Sequence, residues 1–252
     1  MNKEELDQIH KLIREGNSLN EIANKLSRSK TTIYYHFRKI KGSTYSNINL
    51  NQLEDEAWGD FLGLFAGDGN YFKTKTYNYR IYIFFGPDQQ YIHKEVKILL
   101  TNLFKKTPSE GRRVNVLYLY YCSKELIELM KEYLDWDQMR DKTYTVHLKK
   151  RAYSAAFKRG FLRGNIDSDG YISKNRIEFA SVSPLLIQDI SQFTKDMGFK
   201  FSYTLRVDSR PNRKDMHIVN ILKSDHKLFL NVISPRKIGG ANAPAGIRIS
   251  EC

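Results

Sequence analysis

The chain has 252 residues, 41% of them apolar, and 41 Lys plus Arg against 28 Asp plus Glu, a formal net charge of +13. That length supplies a core without covalent staples, and two cysteines, Cys122 and Cys252, exclude a disulfide framework or a Cys/His zinc site. No stretch approaches the ~20 apolar residues of a membrane span and Met1-Asn-Lys opens no signal peptide. An intracellular protein (cytoplasm, nucleoid or organelle matrix) with a polyanionic partner and no membrane is therefore expected.

Residues 1–42 read as a separate all-α unit. Leu6, Ile9 and Ile13 mark a short amphipathic helix stopped by Gly16. Ser18 and Glu21 form a capping box opening a second helix through Ile22, Ala23 and Leu26. Ser29 caps a third, from Lys30 to about Lys41, ended by Gly42. Two short helices joined by a three-residue turn are the helix-turn-helix arrangement, whose second helix lies in the DNA major groove. Lys25, Arg28, Lys30, Arg38, Lys39 and Lys41 carry one sign of charge, with no acid among them. That bias favours DNA over a protein partner, with Lys30, Thr31, Thr32, Tyr35 and Arg38 as contact residues. Residues 43–53, rich in Ser and Asn, read as a linker.

Beyond the linker one plan occurs twice, over 54–150 and 151–252. Each copy opens with an apolar helix carrying small residues at four-residue spacing: Gly63 and Gly67, then Gly160, Gly164 and Ser168. Each helix ends in Asp-Gly, at Asp68-Gly69 and Asp169-Gly170, with the Gly expected as a left-handed cap. Alternating strands follow at Asn78–Phe85 and Arg113–Tyr121, with helices near Glu95–Leu103 and Ser123–Tyr133. The second copy gives strands at Arg176–Val182, Phe199–Val207 and Met216–Leu222, with helices at Pro184–Met197 and Asp225–Val232. Short first strands start near Tyr71 and Tyr171. The fold class is α+β: two pseudo-symmetric αββαββα halves plus the small helical unit.

In the strand around Lys200–Asp208, Lys200, Ser202, Thr204 and Arg206 share one face. Phe201, Tyr203, Leu205 and Val207 share the other, expected to pack on helices. The outward set of the first half is Lys73, Lys75, Asn78, Arg80, Arg113 and Asn115. Basic strand faces of this kind can read base edges in a major groove. Ladders of small residues let the two Asp-Gly helices pack side by side, bringing Asp68 and Asp169 together at two negative helix ends. Such a pair suits a hard divalent cation, Mg²⁺ or Mn²⁺ rather than Zn²⁺.

Phe61-Leu-Gly-Leu-Phe-Ala-Gly-Asp-Gly69 and Leu162-Arg-Gly-Asn-Ile-Asp-Ser-Asp-Gly170 resemble the motif of the LAGLIDADG homing endonucleases. The first departs at its sixth letter, Ala66 for Asp, and the second at its fourth, Asn165 for Leu. The resemblance implies a β saddle for DNA, metal-binding acids at Asp68 and Asp169, and carbonyl ligands from Gly67 and Ser168. It further implies a catalytic Lys near the last strand of a half, which maps onto Lys223; Cys122 holds the matching place in the first half. Two motifs imply a monomer making a double-strand break at a long site in double-stranded DNA. The alternatives are a non-cleaving DNA-binding regulator and a maturase whose partner is intron RNA. The ending Ile249-Ser-Glu-Cys252 lacks the His-Asn of a self-splicing intein, so a free-standing protein is expected.

Overall fold

The computed structural model describes residues 1–42, 47–137, 141–210 and 214–238. The N-terminal unit is α1 (Lys3–Arg14), α2 (Leu19–Lys25) and α3 (Lys30–Lys41). The Ser18 and Glu21 side chains cap each other's backbone N–H at 3.3 and 2.7 Å, and Ser29 Oγ accepts from Thr32 N at 3.2 Å. Gly16 and Gly42 take positive φ, +86° and +96°, where the chain must turn out of a helix. Ile9, Ile13, Ile22, Ile33 and Phe37 close a small core of their own.

The first half comprises α4 (Asp55–Asp68), β1 (Gly69–Lys73), β2 (Tyr79–Phe85), α5 (Gln90–Phe104), β3 (Ser109–Arg113), β4 (Val116–Tyr121) and α6 (Lys124–Tyr133). A short ribbon follows, β5 (Leu134–Asp135), α7 (Lys142–Thr145) and β6 (His147–Leu148). The second half repeats the plan: α8 (Ala155–Ser168), β7 (Tyr171–Ser173), β8 (Arg176–Ser181), α9 (Pro184–Asp196), β9 (Phe201–Arg206), β10 (Met216–Ile221) and α10 (His226–Ile233), then a 3-10 turn at Arg236–Ile238. Both sheets are antiparallel, with orders β1-β2-β4-β3 and β7-β8-β10-β9. The duplication is one of topology, as the α+β reading anticipated.

The helices α4 and α8 form the seam between halves, and glycine sets its depth. A Cβ on Gly160 would stand 1.9 Å from the Glu56 carbonyl oxygen, and one on Gly164 2.1 Å from that of Asp60. From the other side, Cβ atoms on Gly59 and Gly63 would each lie 2.3 Å from a carbonyl oxygen, of Phe157 and Phe161. No larger residue fits without parting the helices. Gly59, unforeseen as a rung, completes the ladder.

Several expectations need correction. Gly69 has φ −87° and ψ 152° and starts β1, and Gly170 lacks a positive φ, so neither is a left-handed cap. They are glycine because a Cβ would lie 2.4 Å from the Phe65 ring, or 2.6 Å from Ile166 Cα. The single strand expected at Arg113–Tyr121 is the hairpin β3–β4, and the turn holds Val114 at φ +25°. On β9 the apolar side is not covered by helices: Tyr203, Leu205 and Val207 are 53, 45 and 69% exposed, because this edge strand runs past α9. The linker is partly fixed, with Ile48, Leu50 and Leu53 packed on the main core and Asn49 N donating to Phe104 O; residues 43–46 lie outside the described residues.

The N-terminal unit is docked on the first half. Arg38 donates to Thr76 O at 2.7 Å and lies over the Tyr34 and Tyr77 rings. Lys124 Nζ reaches Lys39 O at 2.7 Å, and Lys41 pairs with Glu125. These contacts seat the C-terminal end of α3 against the β1–β2 turn and α6.

Candidate active site

Asp68 is the last residue of α4 and Asp169 the first beyond α8. The seam brings them together: the Asp169 carboxylate oxygen Oδ2 lies 3.1 Å from where a Cβ on Gly67 would stand. Burial, and then the charge of Asp169, push the Asp68 carboxyl up to about 6. Burial likewise raises Asp169, against the pull of Lys142 and Lys237. Two acids are thus held at negative helix ends, where their charge is least welcome and a cation most so. Asp68 opens onto a cleft of about 510 Å³ lined also by Asn70, Phe84, Asp141 and Lys142.

Two lysines absent from the motif reading complete the arrangement. Lys142 Nζ donates to the carbonyl oxygens of Phe65, Ala66 and Gly67 at 2.7, 2.7 and 3.2 Å, closing the end of α4. Lys237 Nζ does the same for α8, reaching Ser168 O at 2.8 Å and Gly170 O at 2.6 Å. Burial lowers Lys142 to about 8, although Asp169 and Asp68 favour its charge. It lowers Lys237 as well, against Asp167, Asp68 and Asp169. The Gly67 and Ser168 carbonyls, expected as metal ligands, therefore each accept from an ammonium.

Lys223 does not join them. It opens a 3-10 turn after β10, is exposed, and approaches Asn175 Oδ1 at 3.5 Å. It is not among the charges acting on either acid. Strand end and helix end lie apart here, and the lysine that reaches the acids comes from the segment after the last helix of each half. No sequence signal paired them: Lys142 stands nine residues past the end of α6, at the start of α7, and Lys237 four past the end of α10.

The partner of the motif's sixth letter is also visible. Asp167 is buried and takes Arg236 Nη1 at 2.8 Å, while the same guanidinium reaches Asp60 Oδ1 at 3.0 Å. Lys237 N donates to Asp167 Oδ1 at 3.2 Å. Arg236 thus locks α4, α8 and the turn bearing Lys237 into one unit. In the first half Ala66 stands at the motif position of Asp167.

The expected DNA-contact residues divide. Lys30, Thr31, Thr32 and Tyr35 are exposed on α3, though the Thr32 hydroxyl is 2.9 Å from that of Ser29, while Arg38 is occupied by docking. Ser202, Thr204 and Arg206 are exposed and register with Asn220, Ile218 and Met216 on the side away from the helices. Lys200 is exposed just before β9, its backbone N–H held by Asp225. Arg80 and Arg113 point away from the helices in the first half, and Lys75 and Asn115 are exposed in turns. Asn78 is half-buried in the β1–β2 turn. Lys73 pairs with Tyr79, a core-facing position, and so lies on the opposite side from Arg80. Among the described residues no helix is long and apolar enough to cross a membrane.

Comparison with known proteins agrees with this architecture. A model of the LAGLIDADG-like domain matches residues 156–233, and one of a helix-turn-helix domain matches residues 3–39. No curated protein sequence matches the chain. Among solved structures, the homing endonuclease I-DmoI in complex with DNA and Mn is similar at 18% identity and TM-score 0.55, covering 71% of this chain and 96% of that one. Mesophilic variants of I-DmoI give 17% identity, TM-score 0.54 and the same coverage. I-DmoI with DNA and Ca gives 18% identity and TM-score 0.52, covering 71% of this chain and 91% of that one. The chain combines an N-terminal helix-turn-helix domain with the LAGLIDADG fold.

Proposed function

We propose that the protein is a divalent-metal-dependent DNA endonuclease acting on both strands of a duplex as a monomer. The observation that carries this reading is the meeting of Asp68 and Asp169 at the ends of the glycine seam, each beside a buried lysine. The donor set fits Mg²⁺ or Mn²⁺: both side chains offer hard oxygens, and among the described residues no three His, Cys, Asp or Glu gather to favour a softer ion. Bound there, such an ion polarises the phosphate and makes a water nucleophilic near neutral pH.

The protein's own groups do the rest. Asp68 and Asp169 supply one carboxylate from each half, so each half can serve one strand. Lys142, lowered to about 8, can hold or release a proton near neutral pH at the end of α4, close to Asp68. Lys237 is its counterpart in the second half, held in position by Arg236 and Asp167. The exposed face of α3 extends the footprint past the first-half sheet. The complexes of I-DmoI with DNA, and with Mn or Ca, support the choice of substrate and ion.

The test uses a plasmid carrying the joined flanks of the gene's own locus. Linear product is expected with Mg²⁺, and none with EDTA or with Asp68→Asn or Asp169→Asn. Tight, metal-independent binding with no cut in either strand overturns the nuclease in favour of a regulator.

A further inference from the structure

The two sheets present different chemistry on the sides away from the helices. In the second half that side carries Ser202, Thr204, Arg206, Glu178 and Asn220, groups able to bond base edges. In the first half the equivalent side is a pavement of rings. Register places Phe72 beside Arg80, Tyr82 beside Tyr120, and Phe84 beside Tyr118. Tyr82 and Phe84 stack at 5.6 Å and 8°, and Tyr82 meets Tyr118 and Tyr120 at 5.7 and 5.5 Å. Gly111 is what lets Tyr118 lie across β3, since a Cβ there would stand 2.4 Å from its hydroxyl.

Arg80 lies 5.6 Å over the Tyr120 ring and Arg113 5.9 Å over that of Tyr118, so each of those rings carries a guanidinium on one face. A cavity of about 300 Å³ opens among Phe72, Arg80, Tyr82, Phe84, Arg113 and Tyr118. Phe72 is 52% exposed at its edge. Asn70, Tyr71 and Phe84 also border the cleft of Asp68, so the two spaces adjoin across a shared wall. Ring faces do not read a paired base, whose exposed edge needs donors and acceptors. They do accept the face of an unpaired one, with arginines for the phosphates on either side.

We infer that the first-half sheet binds a single-stranded DNA segment by base stacking, delivering it beside Asp68. This rests on the reading of the protein as a DNA enzyme, and it adds a second, unpaired form of the substrate.

The full chain is titrated in EDTA with three labelled probes of equal length: oligo-dT, oligo-rU and a mixed-sequence duplex. Tyr82→Leu and Tyr118→Leu keep apolar bulk but remove a stacking face, and exposed Phe72→Ser guards against a folding defect. Each variant is expected to bind oligo-dT about tenfold more weakly, with duplex affinity within twofold of wild type. A 2-aminopurine placed centrally in a single strand should lose fluorescence on binding wild type but not Tyr82→Leu. Unchanged oligo-dT affinity in all three variants, equal losses on duplex, or preference for oligo-rU overturns the inference. No cleavage is read, so this result is independent of whether the plasmid is cut.

Discussion

Asp68 and Asp169 occupy a place that works against their own charge, and that cost has a measurable sign. The folded-state pKa of Asp68, about 6, lies above its ordinary value, so folding favours the protonated acid. Stability from this group is present at low pH and lost as pH rises from about 4 through about 6. Without metal, Asp68→Asn should therefore stabilise the fold at neutral pH, by about 2 kcal/mol after allowing for relaxation. Urea unfolding in EDTA at mildly acid and at neutral pH checks this; a variant no more stable than wild type at neutral pH contradicts it. The acids were legible in the sequence because a repeated Asp-Gly after a small-residue ladder is a local pattern. Lys142 and Lys237 were not. Each sits in a short aperiodic segment, and only the return of the chain after α6 or α10 carries it to a helix end.

At the scale of elements, the seam works through the absence of side chains. Gly160→Ala gains about 1 kcal/mol of helix propensity. It also places a methyl 1.9 Å from the Glu56 carbonyl oxygen, where backbone must move. The net expectation is a loss of about 3 kcal/mol in chemical denaturation; unchanged or improved stability would show a looser seam. Arg236→Met tests the other fastening. It leaves Asp60 and Asp167 buried with their main counter-ion removed, and should cost about 3–5 kcal/mol. A change below about 1 kcal/mol would show those carboxylates to be satisfied elsewhere. Four-residue glycine spacing made the seam readable in advance. The triad was hidden because its members lie 69, 107 and 176 positions apart: Asp60, Asp167 and Arg236 meet only across the packed helices. The uncovered side of β9 was misread for a related reason, since alternation marks two faces but does not say how far the neighbouring helix extends.

For the whole molecule, the helix-turn-helix unit has its own core and touches the first half through a few polar contacts of α3. Removing residues 1–42 should leave the two-half body folded while weakening duplex binding at least about tenfold. The slope of log affinity against log salt should fall by about 2, matching the loss of a few phosphate contacts. Fluorescence anisotropy across a salt series, with circular dichroism as a fold control, measures both. An unchanged slope would place the unit off the DNA.

The reach of Arg236 across to Asp60 also bears on ancestry. A chain whose halves share one topology invites the thought of an older homodimer, two copies of one half around a twofold axis. The first half cannot serve as that copy now. Paired with itself it would bury each Asp60 without the Arg163 and Arg236 guanidiniums that the second half lays against it. Two carboxylates would be interred with no guanidinium between them. The first half thus leans on the second to keep its own interior charge balanced.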